Sequence, residues 1–165
     1  MPSFKSIDEM KKGINELITK AMNKVGETAL DKMIKYVEEE MGDGSDNELY
    51  VRTNQFLHSI SKLDAKLNID GSITTYVFYD TDKIEPFTIA NPPVESDQTW
   101  GWHTNFSRQS VVDLIPLWLD ITGTPNNPYY QHEPIKGLEY LEEWVKKNLK
   151  RELKKELTKL GLKVY

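Results

Sequence analysis

One apolar stripe runs through the first quarter of the chain without a break. Ile7, Met10, Ile14, Leu17, Ala21, Val25, Ala29, Met33, Val37 and Met41 recur at intervals of three and four, with Ile18, Met22, Leu30 and Ile34 beside them. That is the period of one face of a long α-helix. Ser6-Ile7-Asp8-Glu9 reads as its capping box: the serine oxygen accepts a backbone N–H and the glutamate reaches back. Gly42 is the left-handed stop, and Gly13 and Gly26 sit inside at a cost of roughly 1 kcal/mol each against alanine. A helix with one apolar face cannot bury that face by itself, so the rest of the chain must cover it.

Two further patterns supply the cover. Pro134 opens and Gly161 closes a last helix, with a stripe of Leu138, Leu141, Val145, Leu149, Leu153, Leu157 and Leu160. Residues 62–70 alternate strictly, with Leu63, Ala65, Leu67 and Ile69 on the face predicted to be buried. Asp70-Gly71 is a hairpin signal, and the return strand runs from Ser72 to Tyr79. A two-residue turn sets Thr74, Tyr76 and Phe78 beside the leucines. A one-residue bulge sets Ile73, Thr75, Val77 and Tyr79 there instead, and the sequence leaves both open. Shorter elements are a helix over about 54–60 capped by Thr53, an edge strand over Ile84–Ala90 carrying Pro86, and an apolar helix from Leu114 to Thr122. The expected fold class is α+β: long N- and C-terminal helices packed on a small antiparallel sheet, the hairpin 62–79 plus the edge strand, as a single domain over 1–165.

Composition narrows the functional classes. The 165 residues contain no cysteine, which removes disulfides, thiolate metal sites and a cysteine nucleophile. No apolar run approaches the ~20 residues that span a bilayer, and the first residues lack the apolar core of a secretion signal. Residues 1–42 hold 7 basic and 8 acidic groups, residues 43–132 hold 5 and 12, and residues 133–165 hold 9 and 6. An acidic middle with a mildly basic tail is a poor footprint for nucleic acid and suits docking between protein subunits. No nucleophile elbow, phosphate-binding Gly-rich loop, dinucleotide fingerprint or His-Glu-x-x-His motif occurs. His58, His103 and His132 fall in separate elements, and neither metal nor cofactor is expected. Asp80 and Asp82 form the one carboxylate pair, and the ordinary reading of Asp80-Thr81-Asp82 is a solvated turn. Joined by His103 and a divalent metal, they make a small hydrolase or nuclease the competing enzymatic reading. Residues 91–110 form a long loop in which Trp100, Trp102 and His103 flank Gly101. Two readings stand for the tryptophans: anchors for a protein partner, or a lid folded over the core.

From Tyr50 onward the chain resembles a known family. Tyr50, Arg52, Thr53, Leu57, Ser59 and Ile60, following a long N-terminal helix, are similar to a motif of the tail-component family of tailed bacteriophages. The hairpin ending Val77-Phe78-Tyr79-Asp80-Thr81-Asp82-Lys83-Ile84, the run Trp118-Leu119-Asp120-Ile121-Thr122-Gly123-Thr124, and Pro128-Tyr129-Tyr130 before the last helix follow in the family's order. Asn54 stands where the family often has glycine, Ile121-Thr122 replace a common acidic position, and the Trp-containing loop is an elaboration. The resemblance implies a structural virion protein and not an enzyme. It implies a tail-completion or head–tail joining neck protein, assembled in the host cytoplasm as a homo-oligomeric ring with the six-fold symmetry of the tail. Its partners are then neighbouring neck, tail-terminator, tail-tube and connector proteins, without specific nucleic-acid or membrane recognition. Tail terminator, head-closure and adaptor roles in the same neck are the alternatives. The interface residues expected on this reading are Tyr50, Arg52, Thr53, Trp100, Trp102 and His103.

Overall fold

The computed structural model describes residues 5–42, 55–84, 116–123 and 133–162. Its elements are α1 (Ile7–Met41), α2 (Gln55–Ser59), β1 (Ile60–Leu67), β2 (Ile73–Tyr79), a 3-10 turn (Thr81–Lys83), a π-helical turn (Leu117–Thr122) and α3 (Gly137–Lys159). The architecture is α+β, with two long helices and a two-stranded antiparallel sheet among the described residues. The expected edge strand falls almost wholly in residues outside those described. The chain divides into two compact units. One gathers Met1–Tyr36, Ile60–Phe78 and Gly137–Tyr165; the other gathers Val37–Ser59 and Tyr79–Lys136.

The first unit contains most of both long helices and nearly all of the hairpin. At the start of α1, Ser6 Oγ accepts the Glu9 N–H at 3.1 Å. The glutamate closes the cap one residue earlier than expected, accepting the Lys5 N–H at 2.6 Å. Gly42 stops the helix at φ +64°. The stripe is buried at every fourth residue: Ala21, Val25, Ala29 and Met33 in this unit. At its N-terminal end Ile7 and Met10 are exposed. The ring of Tyr36 stacks on Tyr140 of α3, centroids 4.1 Å apart and 2° from parallel. Leu141 and Leu157 are the buried ends of the α3 stripe, while Leu138 and Leu160 are exposed.

Helix α3 starts three residues later than the position of Pro134 suggests, because Lys136 takes a left-handed conformation, as described below. Its end is as expected. Gly161 takes φ +87°, and the Leu162 N–H donates to the Leu157 carbonyl at 3.0 Å, a Schellman closure.

The hairpin departs from strict alternation. At the turn the Asn68 N–H donates to the Ser72 carbonyl at 2.8 Å, and the Gly71 N–H to the Asn68 carbonyl at 3.0 Å. With Gly71 at φ +83°, this is a type I turn followed by a glycine bulge, a three-residue loop rather than a two-residue one. It selects the register with Ile73, Thr75, Val77 and Tyr79 on the inner face. At the other end the Asp80 N–H donates to the Ser59 carbonyl at 2.7 Å. Nine steps separate Ser59 from Asn68 but eight separate Ser72 from Asp80, so β1 carries an extra residue.

Leu63 and Leu67 are exposed, as is Ile69 in the turn, and only Ala65 of the expected apolar face is half-buried. The prediction of a buried leucine face therefore fails.

Asn23 of α1 closes the free edge of β1. Its Oδ1 accepts the Ala65 N–H at 2.6 Å and lies 3.4 Å from Lys62 Nζ. The approach is close because residue 26 is glycine. A β-carbon there would meet Lys62 Cδ and Thr75 Oγ1, each at 3.0 Å.

Asn23→Ala leaves the Ala65 N–H without its acceptor and is expected to cost about 1–3 kcal/mol in urea unfolding, with the slope unchanged. Asn23→Asp keeps the acceptor and recovers most of the loss. Gly26→Val gains helix propensity but forces Lys62 and Thr75 apart, with an expected net loss of about 1–3 kcal/mol by the same measurement.

Candidate functional site

The sequence places the expected interface at Tyr50, Arg52, Thr53, Trp100, Trp102 and His103; all six lie outside the described residues. Of the competing carboxylate pair, Asp80 precedes the 3-10 turn and lies 3.9 Å from Lys83 Nζ, and Asp82 is exposed within it. His103 again lies outside. Among the described residues no group of three or more His, Asp or Glu side chains converges as a metal site, and no helix is long and apolar enough to cross a membrane.

The polar chemistry that the structure does concentrate is in the second unit, around Asp120. This carboxylate is 1% exposed, although it is carried in the apolar run Leu117–Thr122. Pro116 precedes the run in helical conformation. It lacks the backbone N–H that would continue a helix toward its own N-terminal side. The following residues wind as a π-turn, with Thr122 Oγ1 donating to the Leu117 carbonyl five residues back at 3.3 Å. Of the helix expected over Leu114–Thr122, residues 114 and 115 lie outside the described residues, and Leu117–Thr122 takes the wider π winding. Gly123 ends it at φ +67°.

Two neighbouring segments fasten this turn. The Ile135 N–H donates to the Leu119 carbonyl at 3.0 Å and the Lys136 N–H to the Asp120 carbonyl at 2.9 Å. Ile135 is buried, and Lys136 is held at φ +60°, a left-handed conformation that costs a side-chain-bearing residue roughly 1–2 kcal/mol. From the end of β2, the Tyr79 hydroxyl donates to Asp120 Oδ1 at 2.8 Å. The Tyr79 ring stacks on Phe56 of α2 at 4.7 Å, and Ser59, fully buried, donates from Oγ to the Phe56 carbonyl at 2.6 Å.

Burial pushes the Tyr79 phenol far above its ordinary value; the charge of Asp120 and the hydrogen bond to it add to the effect. The phenol therefore remains a donor at any physiological pH. Its role is to satisfy a buried carboxylate that would otherwise be expensive to desolvate. Asp120 has partners besides Tyr79. The pair ties the end of the hairpin to the π-turn inside this unit. The sequence signals it only by a lone carboxylate between Leu119 and Ile121.

Tyr79→Phe removes the donor and keeps the ring, and is expected to cost about 1–3 kcal/mol by chemical denaturation. The wild-type contribution also has a pH signature. Because the folded phenol titrates above the unfolded one, stability is full below the ordinary phenol value of about 10 and falls as pH rises past it. The variant loses that part of the alkaline slope.

No family model, curated protein or solved structure matches the chain.

Proposed function

We propose that this chain is a structural virion protein of a tailed phage or phage-tail-like particle, forming a ring at the tail-to-head junction and completing or joining the tail. The observation that carries the reading is the ordered resemblance: the Tyr50/Arg52/Thr53 motif after a long helix, then the hairpin into Asp80-Thr81-Asp82, then Thr122-Gly123-Thr124, then Pro128-Tyr129-Tyr130 before a last helix. The helix–hairpin–helix order of the described chain supports it. So does the buried polar pair, whose chemistry fastens backbone and offers no reactive group. On this reading Arg52 ties its segment to a carboxylate or carbonyl, and Trp100 and Trp102 seat on a neighbouring neck protein. Terminator, head-closure and adaptor roles remain the neighbouring alternatives, and gene order around the coding region separates them.

The direct test is mass in solution, alone and with the adjacent head and tail proteins; a ring-sized species is expected. Trp100→Ala with Trp102→Ala should leave the isolated subunit's melting temperature within a few degrees of wild type. It should lower the ratio of joined particles to free heads and tails in complementation. An unfolded double variant would make the tryptophans core lids and end their interface assignment.

A further inference from the structure

In the first unit the N-terminal half of α1 and the C-terminal end of α3 border an open groove of about 440 Å³ lined by Lys20, Asn23, Lys24, Glu156, Lys159 and Leu160. Three lysines and one glutamate line it. Lys24 pairs with Glu27 and Lys159 with Glu156, each through an exposed i,i+3 contact that solvent screens. Lys20 is exposed and makes no ion pair among the described residues. Farther back on α3, Lys150 and Lys154 are also exposed and without an ion pair among the described residues. The groove is thus net basic with an apolar floor at Leu160, which is 36% exposed.

The C-terminal end of α1 has the opposite character. Glu38 and Glu40 are exposed and form no salt bridge among the described residues, and the last turn of the helix contains no basic residue. A helix C-terminus carries the negative end of the macrodipole, so these carboxylates stand where negative charge is least favoured and a cation gains most. The sequence continues the same sign with Asp43, Asp46 and Glu48.

We infer that the Lys20/Lys24/Lys159 groove receives the acidic C-terminal end of α1 from a second copy of this chain. The contact joins two different surfaces, so it is heterologous and propagates from copy to copy, closing into a ring where the rotation allows. Complementary charge sets orientation and encounter rate, and Leu160 supplies apolar area at the contact. The inference deepens the proposed ring assembly and rests on it.

The test is self-association of the full chain by sedimentation across concentration and salt. Wild type is expected to associate, and to associate less as ionic strength rises. Lys20→Glu with Lys24→Glu and Lys159→Glu, all exposed positions, should weaken association at least tenfold without changing the melting temperature appreciably. Glu38→Lys with Glu40→Lys should do the same. Each reversed set fails alone, but an equimolar mixture of the two, or one chain carrying both sets, should recover association. A wild type that forms rings while both reversed sets do so equally well overturns this pairing and leaves the ring reading standing. A wild type that stays monomeric at every concentration, alone and with its neighbouring proteins, overturns both. Loss of duplex-oligonucleotide binding in the lysine variant, with self-association intact, would assign the groove to nucleic acid and overturn the pairing.

Discussion

The first unit depends on one carboxamide. An open strand edge exposes a row of unpaired amide groups, and a two-stranded sheet has little else to hold it. Asn23 meets that constraint from the side of a helix, offering Oδ1 to the Ala65 N–H at 2.6 Å. The bond is short enough to form only because Gly26, one turn on, lets the helix backbone approach Lys62 and Thr75. The apparent defect of a glycine inside a long helix is therefore a condition for closing the sheet. Helix, strand edge and hairpin then bury Ala21, Val25 and Ala29 together.

The long elements were legible because their signals are local and redundant. Helix α1 is announced by a cap, a stripe and a glycine stop, and its observed bounds lie within a residue of those signals. The end of α3 is announced by Gly161 in the same way. What was not legible is set by contacts distant in sequence. The bulge in β1 follows from pairing Ser59 with Asp80 at one end and Asn68 with Ser72 at the other, and no local pattern encodes that mismatch. The alternation of Leu63, Ala65 and Leu67 looks like a buried face and is not one. The late start of α3 likewise reflects hydrogen bonds from Ile135 and Lys136 to carbonyls sixteen residues back.

Candidate functional positions divide along the same line. The interface residues read from the resemblance, Tyr50, Arg52, Thr53, Trp100, Trp102 and His103, rest on sequence order. Asp120 was visible only through its environment: one carboxylate in an apolar turn says little until Tyr79 and its stacking partner Phe56 are beside it. Its burial with a protonated phenol describes a fastening rather than a reactive centre.

The bonds at Lys136 have a consequence for the helix that follows. Pro134 is a favourable first residue for a helix, and Ile135 and Lys136 present no intrinsic obstacle to one. They stay out of α3 because Lys136 is held at φ +60°, outside the helical region, while both N–H groups donate to the carbonyls of Leu119 and Asp120. The boundary of α3 is thus a gauge of the π-turn. Were Leu117–Thr122 to unwind, those two amides would be released, and the helix would be free to grow backward by up to three residues toward Pro134. Helix content would then rise on loss of a structured turn, the reverse of what local unfolding ordinarily does.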